Sequence, residues 1–352
     1  MDIQLMFSEA ARKEASDLHL IVGFPPILRV AGILMPIDGG QILKDADTRS
    51  LIVSTLNLEQ KEILETNKEL DFSLATTAGR FRVNAYTQKN TLAGAFRLIP
   101  SVIKSIDELG LPSICNDFVK LRQGLILVTG PTGHGKSTTL SSMINVINQT
   151  KGMHIITIED PIEYVYAPSL SIVSQREMHA DTHSWNMALR SVLREDPDVV
   201  LVGEMRDFET IQAALTIAET GHLVFATLHT NSAAQTIDRI VDVFPENQQT
   251  QVRLQLSNVL EGIISMRLVP AMTVPRVPVA EILTGTPAIR TLIREGKSHQ
   301  IDNVIQTSSE FGMLSLEGAL SNHVKARIIS QDVAMSYALR PEELSRLLKG
   351  TV

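Results

Sequence analysis

The sequence predicts an α/β fold in two domains, and two observations lead to this prediction. After residue 112, apolar strands alternate with helices, which is typical of a largely parallel sheet covered on both faces. Before residue 100, several strands with alternating apolar and polar residues follow one another, with helices beside them. The chain has 352 residues, 44% of them apolar, so two ordinary cores are expected. We assign residues 1–99 and 113–352 to the two domains.

The first domain is predicted to be a small α/β unit. Apolar spacing and alternation predict helices over residues 3–14, 48–55 and 59–67, and strands over residues 17–22, 70–76, 79–87 and 93–99. This domain contains no catalytic motif, but Arg80, Arg82 and Arg97 lie on or beside its strands. The pattern alone fits exposed cations on a strand face as well as groups that serve a neighbouring site.

A linker precedes the second domain. Proline, glycine and mixed polar residues predict it over residues 100–112. Beyond it we expect strands over residues 125–129, 154–159, 198–203, 222–228 and 277–283, and helices from residue 136 and over residues 185–194, 210–219 and 248–266. The rest of the chain is predicted to be mostly helical.

A glycine-rich turn lies between the first of these strands and the helix after it. Its sequence GPTGHGKS, residues 130–137, matches the nucleotide-binding P-loop pattern GxxxxGK[ST] at every fixed position. Backbone N–H groups of such a loop and the helix N-terminus surround phosphate oxygens. Lys136 is placed to reach the β- and γ-phosphates, and the Ser137 hydroxyl to bind Mg²⁺. The predicted nucleotide-binding residues are Thr132, Gly133, His134, Gly135, Lys136, Ser137 and Thr138.

Carboxylates follow two other predicted strands, at the end of the sheet where ligands of α/β proteins bind. Glu159, Asp160 and Glu163 follow one strand, and Glu204 follows another that resembles a Walker B strand. An ordinary Walker B motif has an aspartate where this chain has Gly203. Mg²⁺ then needs an oxygen from elsewhere, which the first cluster can supply, or more water, and we expect Glu204 to orient or deprotonate an attacking water. The alternative is that these carboxylates are plain surface groups.

Two histidines bracket the strand predicted over residues 222–228. His229 lies at its carboxyl end and is placed to donate a hydrogen bond to a γ-phosphate, whereas His222 lies at the opposite end. Purely structural roles are the alternative for both. The spacing of histidines and cysteines does not match a zinc site.

Composition excludes several classes of function. The net charge of −7 provides no global basic field for nucleic acid, and none is expected as a partner. The single Cys115 excludes a disulfide framework or a four-cysteine zinc site and is expected to be a buried apolar residue. The apolar stretches are too short for a transmembrane helix or a signal peptide, so we expect a cytoplasmic protein.

Four segments together resemble the secretion and type IV pilus ATPase superfamily. They are GPTGHGKST (130–138), ITIEDPIEY (156–164), LREDPDVVLVGEMRD (193–207) and TGHLVFATLHTN (220–231), which resemble its P-loop, acidic box, atypical Walker B and histidine box. ASDLHL and the GRFRVN…FRLIP hairpin resemble its PAS-like N-terminal domain. AIRTLIREGK (288–297) looks like the signature of the pilus retraction ATPases. His134 departs from the serine that the family commonly has.

The resemblance implies a PAS-like α/β N-terminal domain, a RecA-like ATPase domain with a helical C-terminal region, and a homohexamer. ATP and Mg²⁺ would bind between two domains of the same or neighbouring subunits. Arg82 and Arg97 match arginine fingers, Glu204 the catalytic glutamate, Glu163 the acidic-box glutamate and His229 the histidine-box residue.

The implied activity is a motor. Hydrolysis would release the domains to rotate about residues 100–112, and the ring would act on an inner-membrane pilus platform protein and, through it, on pilin. The helix over residues 288–297 would bury Ile289, Leu292 and Ile293 and offer Arg290, Arg294 and Lys297 to a partner. Two alternatives stay open: a related pilus-extension or type II secretion ATPase, and an assembly subunit that binds nucleotide but hardly hydrolyses it.

Overall fold

The computed structural model describes residues 2–100 and 102–349, which form two compact units. The first, the N-terminal unit, comprises Met1–Val102 together with Pro161–Val165. The second, the C-terminal unit, comprises Ile103–Asp160 and Tyr166–Val352. A short excursion of the chain, just after the strand that ends at Glu159, therefore belongs to the N-terminal unit.

The N-terminal unit is an antiparallel sheet with three helices. Its elements are α1 (Ile3–Arg12), β1 (Asp17–Leu20), β2 (Ile27–Val30), β3 (Ile33–Pro36), α2 (Asp45–Val53), α3 (Leu58–Asn67), β4 (Glu69–Thr76), β5 (Gly79–Gln88) and β6 (Thr91–Leu98). The strand order is β3-β2-β1-β6-β5-β4. Alternate residues of β5, such as Phe81 and Val83, are buried, and Phe7 of α1 packs on Phe81 with ring centroids 4.5 Å apart. The period-two alternation thus places one face of β5 on the core.

The C-terminal unit is a seven-stranded sheet with helices. Its strands are β7 (Gly124–Thr129), β8 (His154–Glu159), β9 (Ile172–Glu177), β10 (Val199–Val202), β11 (Leu223–Leu228), β12 (Leu260–Pro270) and β13 (Arg276–Thr284). Its helices are α4 (Cys115–Phe118), α5 (Lys136–Thr150), α6 (Trp185–Val192), α7 (Phe208–Glu219), α8 (Ala233–Asp242), α9 (Glu246–Val259), α10 (Pro287–Arg294), α11 (Ile301–Thr307), α12 (Leu316–Lys325), α13 (Gln331–Tyr337) and α14 (Pro341–Lys349).

The strand order β13-β12-β7-β11-β10-β8-β9 explains why the central strands are continuously apolar. Every neighbouring pair is parallel except β12 with β13. Residues of β7, β10 and β11 are all buried, because helices cover both faces of the sheet. Cys115 is buried in the apolar cluster on the α5 face, as expected. The predicted largely parallel α/β core is confirmed.

One predicted element is wrong in its second half. The amphipathic helix predicted over residues 248–266 ends at Val259, and Leu260 begins β12. β12 pairs with β7 on one side and with β13 on the other, so the apolar run Leu260–Pro270 is the second strand from the sheet edge. Apolar spacing in such a run suits a buried strand as well as a helix, and the partner strands decide.

The last helices pack on the outer end of β12 and β13. Val269 and Val279 from these strands share an apolar cluster with Leu316, Leu320 and Leu344 from α12 and α14. Over the part of the chain that the structure describes, none of the helices is both long enough and apolar enough to span a lipid bilayer.

Candidate active site

The P-loop runs from the end of β7 to the first turn of α5, as predicted. Gly130 adopts φ 139°, and a Cβ built there would lie 2.5 Å from the Met266 carbonyl oxygen on β12, so a larger residue cannot fit. Gly135 is the N-cap of α5 with φ 87°, and having no side chain it leaves the first-turn N–H groups to an external acceptor. The loop therefore presents a helix N-terminus suited to an anion.

Lys136 projects back across this loop rather than into solvent. Its side chain is buried, and Nζ donates to the Gly130 carbonyl oxygen at 2.9 Å and to the Pro131 carbonyl oxygen at 3.1 Å. Nζ also lies 3.3 Å from Nδ1 of His229. The P-loop cation is thus held in place before any phosphate binds.

His229 connects this lysine to the carboxylate of Glu204. Lys136 has no acceptor to offer, so Nδ1 of His229 accepts from the ammonium and the ring proton resides on Nε2. His229 Nε2 then donates to Glu204 Oε1 at 3.0 Å. The loop after β11, the P-loop and the turn after β10 converge in this chain of hydrogen bonds.

Glu204 is held as a carboxylate on two sides. Arg206 Nη2 donates to Oε2 at 2.7 Å, opposite the bond from His229 to Oε1. Partial burial raises the pKa of Glu204, but the hydrogen bond from Arg206 and the nearby His229 outweigh it, and the net pKa is lowered. Glu204 is therefore ionised at neutral pH and able to accept a proton.

Gly203 occupies the position where an ordinary Walker B motif has aspartate, and the structure gives a steric reason. A Cβ there would lie 3.1 Å from the Ile158 carbonyl oxygen and 3.2 Å from Glu159 Cα, tighter than normal packing. The next strand supplies a carboxylate at this edge instead. Glu159 is buried at the end of β8, and its Oε1 accepts from Thr157 Oγ1 at 2.6 Å and Gln175 Nε2 at 3.3 Å.

His134 attaches the P-loop to β12. The Leu268 backbone N–H donates to His134 Nδ1 at 3.0 Å. Leu268 is paired with Pro278, which has no N–H, so this is a non-hydrogen-bonded pair and the Leu268 N–H points away from β13. Burial, followed by Arg267, Lys136 and Arg276, lowers the pKa of His134, which keeps Nδ1 available as an acceptor.

These residues fit a nucleotide and Mg²⁺. A glycine-rich turn, a helix N-terminus and a buried lysine together suit phosphate oxygens. The Ser137 hydroxyl in the first turn of α5 is a partly buried oxygen donor, and Glu159 is a second one at the same sheet edge. No group of three or more His, Cys, Asp or Glu side chains within residues 2–100 and 102–349 forms a metal cage. Such a site relies on phosphate oxygens and water, as Mg²⁺ sites commonly do.

Comparison with known proteins agrees with this site. The family model described as "Type II/IV secretion system protein" matches residues 1–289. This chain belongs to that family.

Two relatives in the family cover nearly the whole chain. The type IV pilus retraction ATPase PilT of Pseudomonas aeruginosa is 48% identical over 97% of this chain and 99% of its own length. A twitching motility protein of Neisseria gonorrhoeae is 47% identical over 91% of this chain and 86% of its own. A crystal structure of the pilus retraction motor PilT with bound ADP superimposes with a TM-score of 0.91, at 47% identity over 98% and 99% of the two chains.

The other predicted site residues of this secretion-family chain lie in the N-terminal unit. Arg97 on β6 is exposed and donates from Nε to Asp17 Oδ1 at 3.0 Å. Arg82 on β5 is exposed and bonds Asp71 Oδ2 at 2.7 Å. Glu163 lies in the excursion 161–165. The structure thus brings together Lys136, His229 and Glu204 in one unit and places the arginines in the other.

Sequence reasoning missed two arginines that bind residues in this site or next to it. The Walker B-like segment contains Arg206, but the sequence pattern assigns this arginine no role, although it lies two residues after Glu204 and binds it directly. Arg267 donates to the Asn231 carbonyl oxygen at 3.0 Å and to Asn231 Oδ1 at 3.1 Å, two residues beyond His229. A lone arginine in an apolar strand such as β12 is a signal that could have revealed Arg267. His222, at the other end of β11, bonds the Ile217 carbonyl oxygen and closes the end of α7.

The segment 288–297 is helical only to Arg294, and one expectation for it is wrong. Arg290 is not available to a partner, because it bonds Glu261 Oε1 at 2.6 Å and the carbonyl oxygens of Gly285, Ser257 and Asn258. Ile289 and Ile293 are buried as expected, while Leu292 is half-buried. Arg294 and Lys297 are exposed.

Proposed function

We propose that this chain is an Mg²⁺-dependent ATPase that hydrolyses ATP to ADP and phosphate and drives type IV pilus retraction. The observation that carries the chemistry is the hydrogen-bonded chain from Lys136 through His229 to Glu204 beside the P-loop. The pilus assignment is supported by PilT relatives that match almost the entire chain in sequence and structure.

Substrate binding follows from the loop geometry. The N–H groups of the α5 N-terminus and of the P-loop donate to the phosphate oxygens, and Lys136 turns from the carbonyl oxygens of Gly130 and Pro131 towards the β- and γ-oxygens. Ser137 would hold Mg²⁺, which supplies neutralisation of phosphate charge when bound. Residues Thr132–Thr138 thereby orient the terminal phosphate for displacement.

Glu204 performs the proton transfer. Water attacks the γ-phosphorus, its proton passes to Glu204 and ADP departs as the bridging P–O bond breaks. His229 and Arg206 hold the two carboxylate oxygens, so the base is oriented before the water arrives. His229 also contacts the P-loop lysine, which places it to sense whether a γ-phosphate is present.

Arg97 and Arg82 supply positive charge to the transition state, and Glu163 acts from the same unit. They are delivered by an N-terminal unit of the same or a neighbouring subunit, in a homohexameric ring. Arginine fingers contribute about 10³ to 10⁵ in rate by stabilising charge on the transferred phosphoryl group. Release of phosphate would free the units to rotate about residues 100–112, which converts chemistry into movement.

The partner of the motor would be an inner-membrane platform protein of the pilus machine, reached from the cytoplasm, with pilin moved indirectly. A groove of about 550 Å³ borders α10, between Ala288, Thr291 and Leu292 on one side and Asn303 and Val304 on the other. Its position on the retraction-like segment makes this groove the surface we assign to the machine.

The first test is ATP turnover per subunit as a function of protein concentration. Turnover that rises as the ring assembles supports a site completed across subunits. Glu204→Gln should abolish turnover while keeping ATP binding, and Glu209→Gln, an exposed neighbour on α7, should change neither. A wild-type chain that binds ATP without turnover at any concentration supports the assembly-subunit alternative, for which Gly203 is the motivation, or a motor that needs its membrane partner for turnover.

The second test separates retraction from extension. Residues 288–297 are exchanged for the corresponding segment of a type II secretion ATPase, and pili are scored in cells. Loss of retraction with normal assembly supports the proposal. Normal retraction after the exchange of residues 288–297 would contradict the assignment of this chain to pilus retraction.

A further inference from the structure

A buried carboxylate on β13 holds the start of the helix that follows the His229 loop, defined here as residues 229–232. Glu281 is 1% exposed, and its Oε1 accepts from the backbone N–H of Ala233, the first residue of α8, at 2.7 Å. The acceptor for this helix N-terminal N–H thus comes from a distant strand, β13, rather than from the local N-cap residue. Removing it would release the downstream end of the His229 loop.

The same loop is also held from β12. Arg267, which is buried, donates to both the carbonyl oxygen and the side-chain oxygen of Asn231. Ser232 caps α8 by accepting from the Gln235 N–H. The loop that carries His229 is therefore fixed at its far end by β12 and β13, outside the nucleotide site itself.

The other oxygen of Glu281 faces the C-terminal helices. Glu281 Oε2 lies 3.8 Å from Arg340 Nη2 and has no hydrogen-bond partner within the described residues. Arg340, just before α14, also bonds Asp302 Oδ2 at 2.6 Å, Glu317 Oε2 at 3.1 Å and Glu343 Oε2 at 3.1 Å. One guanidinium thus joins β13, α11, α12 and α14.

We propose that Glu281 is a positioning residue for the ATPase reaction, through which Arg340 and the C-terminal helices set the placement of the His229 loop. The inference rests on the catalytic role of His229 proposed above. A load on the C-terminal helices that shifts Arg340 changes the charge environment of Glu281, and Glu281 transmits the shift to Ala233 and the loop before it.

The balance at Glu281 is sensitive to such a shift. The net pKa of Glu281 is raised to about 7: burial is the largest cause, Asp302 and Glu317 also raise it, and the Ala233 N–H and Arg340 lower it. A carboxyl whose charge changes near neutral pH responds strongly to small movements of a single cation. Arg340 is one such cation, and Arg267 on β12, whose pKa burial lowers and Glu281 raises, is a second.

The positioning role is tested by Glu281→Ala with Glu281→Gln as the conservative rescue. We expect hydrogen exchange in a peptide spanning residues 229–236 to become about tenfold faster in the alanine variant, because that variant loses one buried hydrogen bond. Turnover should fall about tenfold as well, with the dissociation constant of ADP unchanged. Glu281→Gln retains an acceptor for Ala233 and should exchange within about twofold of wild type.

The coupling to the C-terminal helices is tested at Arg340. Arg340→Gln, or Arg340→Lys if the first does not fold, should accelerate exchange in the same peptide. It should add nothing in a chain that already carries Glu281→Ala, since both act through one contact. Glu343→Gln is the matched control, because it removes an Arg340 partner that binds Nε rather than the Nη2 that faces Glu281.

Two results would overturn the inference. The first is that Arg340→Gln and Glu281→Ala accelerate exchange additively. The second is that Glu343→Gln accelerates exchange as much as Arg340→Gln, which would mean that the C-terminal helices loosen in general. Exchange is measured without nucleotide. If the wild type shows no turnover, the ATPase proposal fails while the exchange data still decide the coupling.

Discussion

Arg82 on β5 lies directly opposite Arg97 on β6 in the antiparallel register, so the two cations share one face of the N-terminal sheet. Like charges in such a pair repel, and each is compensated by its own carboxylate, Asp71 or Asp17. A pair of exposed guanidinium groups held this way could contact two of the negatively charged oxygens of a phosphoryl group during its transfer. We infer that the two arginines act together.

Replacement of Arg97 by alanine should therefore lower kcat by about 10³ with little change in ADP affinity, because the arginine finger that we propose would stabilise charge that develops in the transition state. Steady-state turnover and nucleotide binding measure this. Arg29→Ala is a matched control, since Arg29 also lies near Asp17, at 3.9 Å, but on β2. Equal losses in both variants would show that Arg97 acts only through Asp17.

Replacement of His229 by alanine should lower kcat by about 10² and shift the pH profile. The bond from His229 is one of the interactions that lower the pKa of Glu204, so its loss raises that pKa. The base that we propose must be ionised for turnover, so the acid limb of the profile should move to higher pH. His222→Ala, at the opposite end of β11, should leave this limb in place; an unmoved limb in His229→Ala would count against the base role of Glu204.

His134 should make the nucleotide-free protein less stable in mild acid. Its folded-state pKa is lowered, so as pH falls through about 6.5 the unfolded chain binds the proton first, and the bond from Leu268 is lost at lower pH, where the folded ring is protonated as well. The stability contribution, about 1 kcal/mol, is complete above this range and declines below it. His134→Ser should flatten the dependence of thermal unfolding between pH 7 and 5, and the exposed His299→Ser should not. An unchanged slope in His134→Ser would refute the assignment.

Gly203 should resist substitution. Gly203→Ala places a Cβ against the Ile158 carbonyl oxygen and Glu159 Cα, at a cost of about 1–3 kcal/mol of unfolding free energy, and Gly203→Asp should cost more. Gly152→Ala, whose nearest neighbour is Leu170 O at 3.9 Å, should stay within about 0.5 kcal/mol. Denaturant unfolding measures both. A stable Gly203→Asp variant with raised turnover would show that the missing aspartate, not packing, matters here.

The parts of the structure that sequence predicted are those determined locally. The P-loop, the strands before it and after it, and the turns that carry Glu204 and His229 are set by short-range apolar patterns and glycine positions. Their meeting point follows from parallel strand order, because the carboxyl ends of neighbouring parallel strands lie at one edge.

The errors arose where a distant partner decides the outcome. Residues 260–266 are a strand because β7 and β13 pair with them, and a Cβ at Gly262 would overlap Phe118. Arg290 lies on the outer face by helical spacing, but Glu261 and three carbonyl oxygens from other segments bind it. The periodicity of apolar residues in one sequence reveals neither the strand partners of residues 260–266 nor the distant acceptors of Arg290.

The position of β7 between β11 and β12 has a consequence for synthesis. Both neighbours lie later in the chain than the P-loop, and β12 comes after α9. While a ribosome has released only the residues up to the end of α7, β7 exposes both of its edges, and Gly130 lacks the Met266 backbone against which it packs. A nascent chain therefore lacks the strand neighbours that complete the P-loop, and is exposed to wrong strand pairing, until residue 266 has left the exit tunnel.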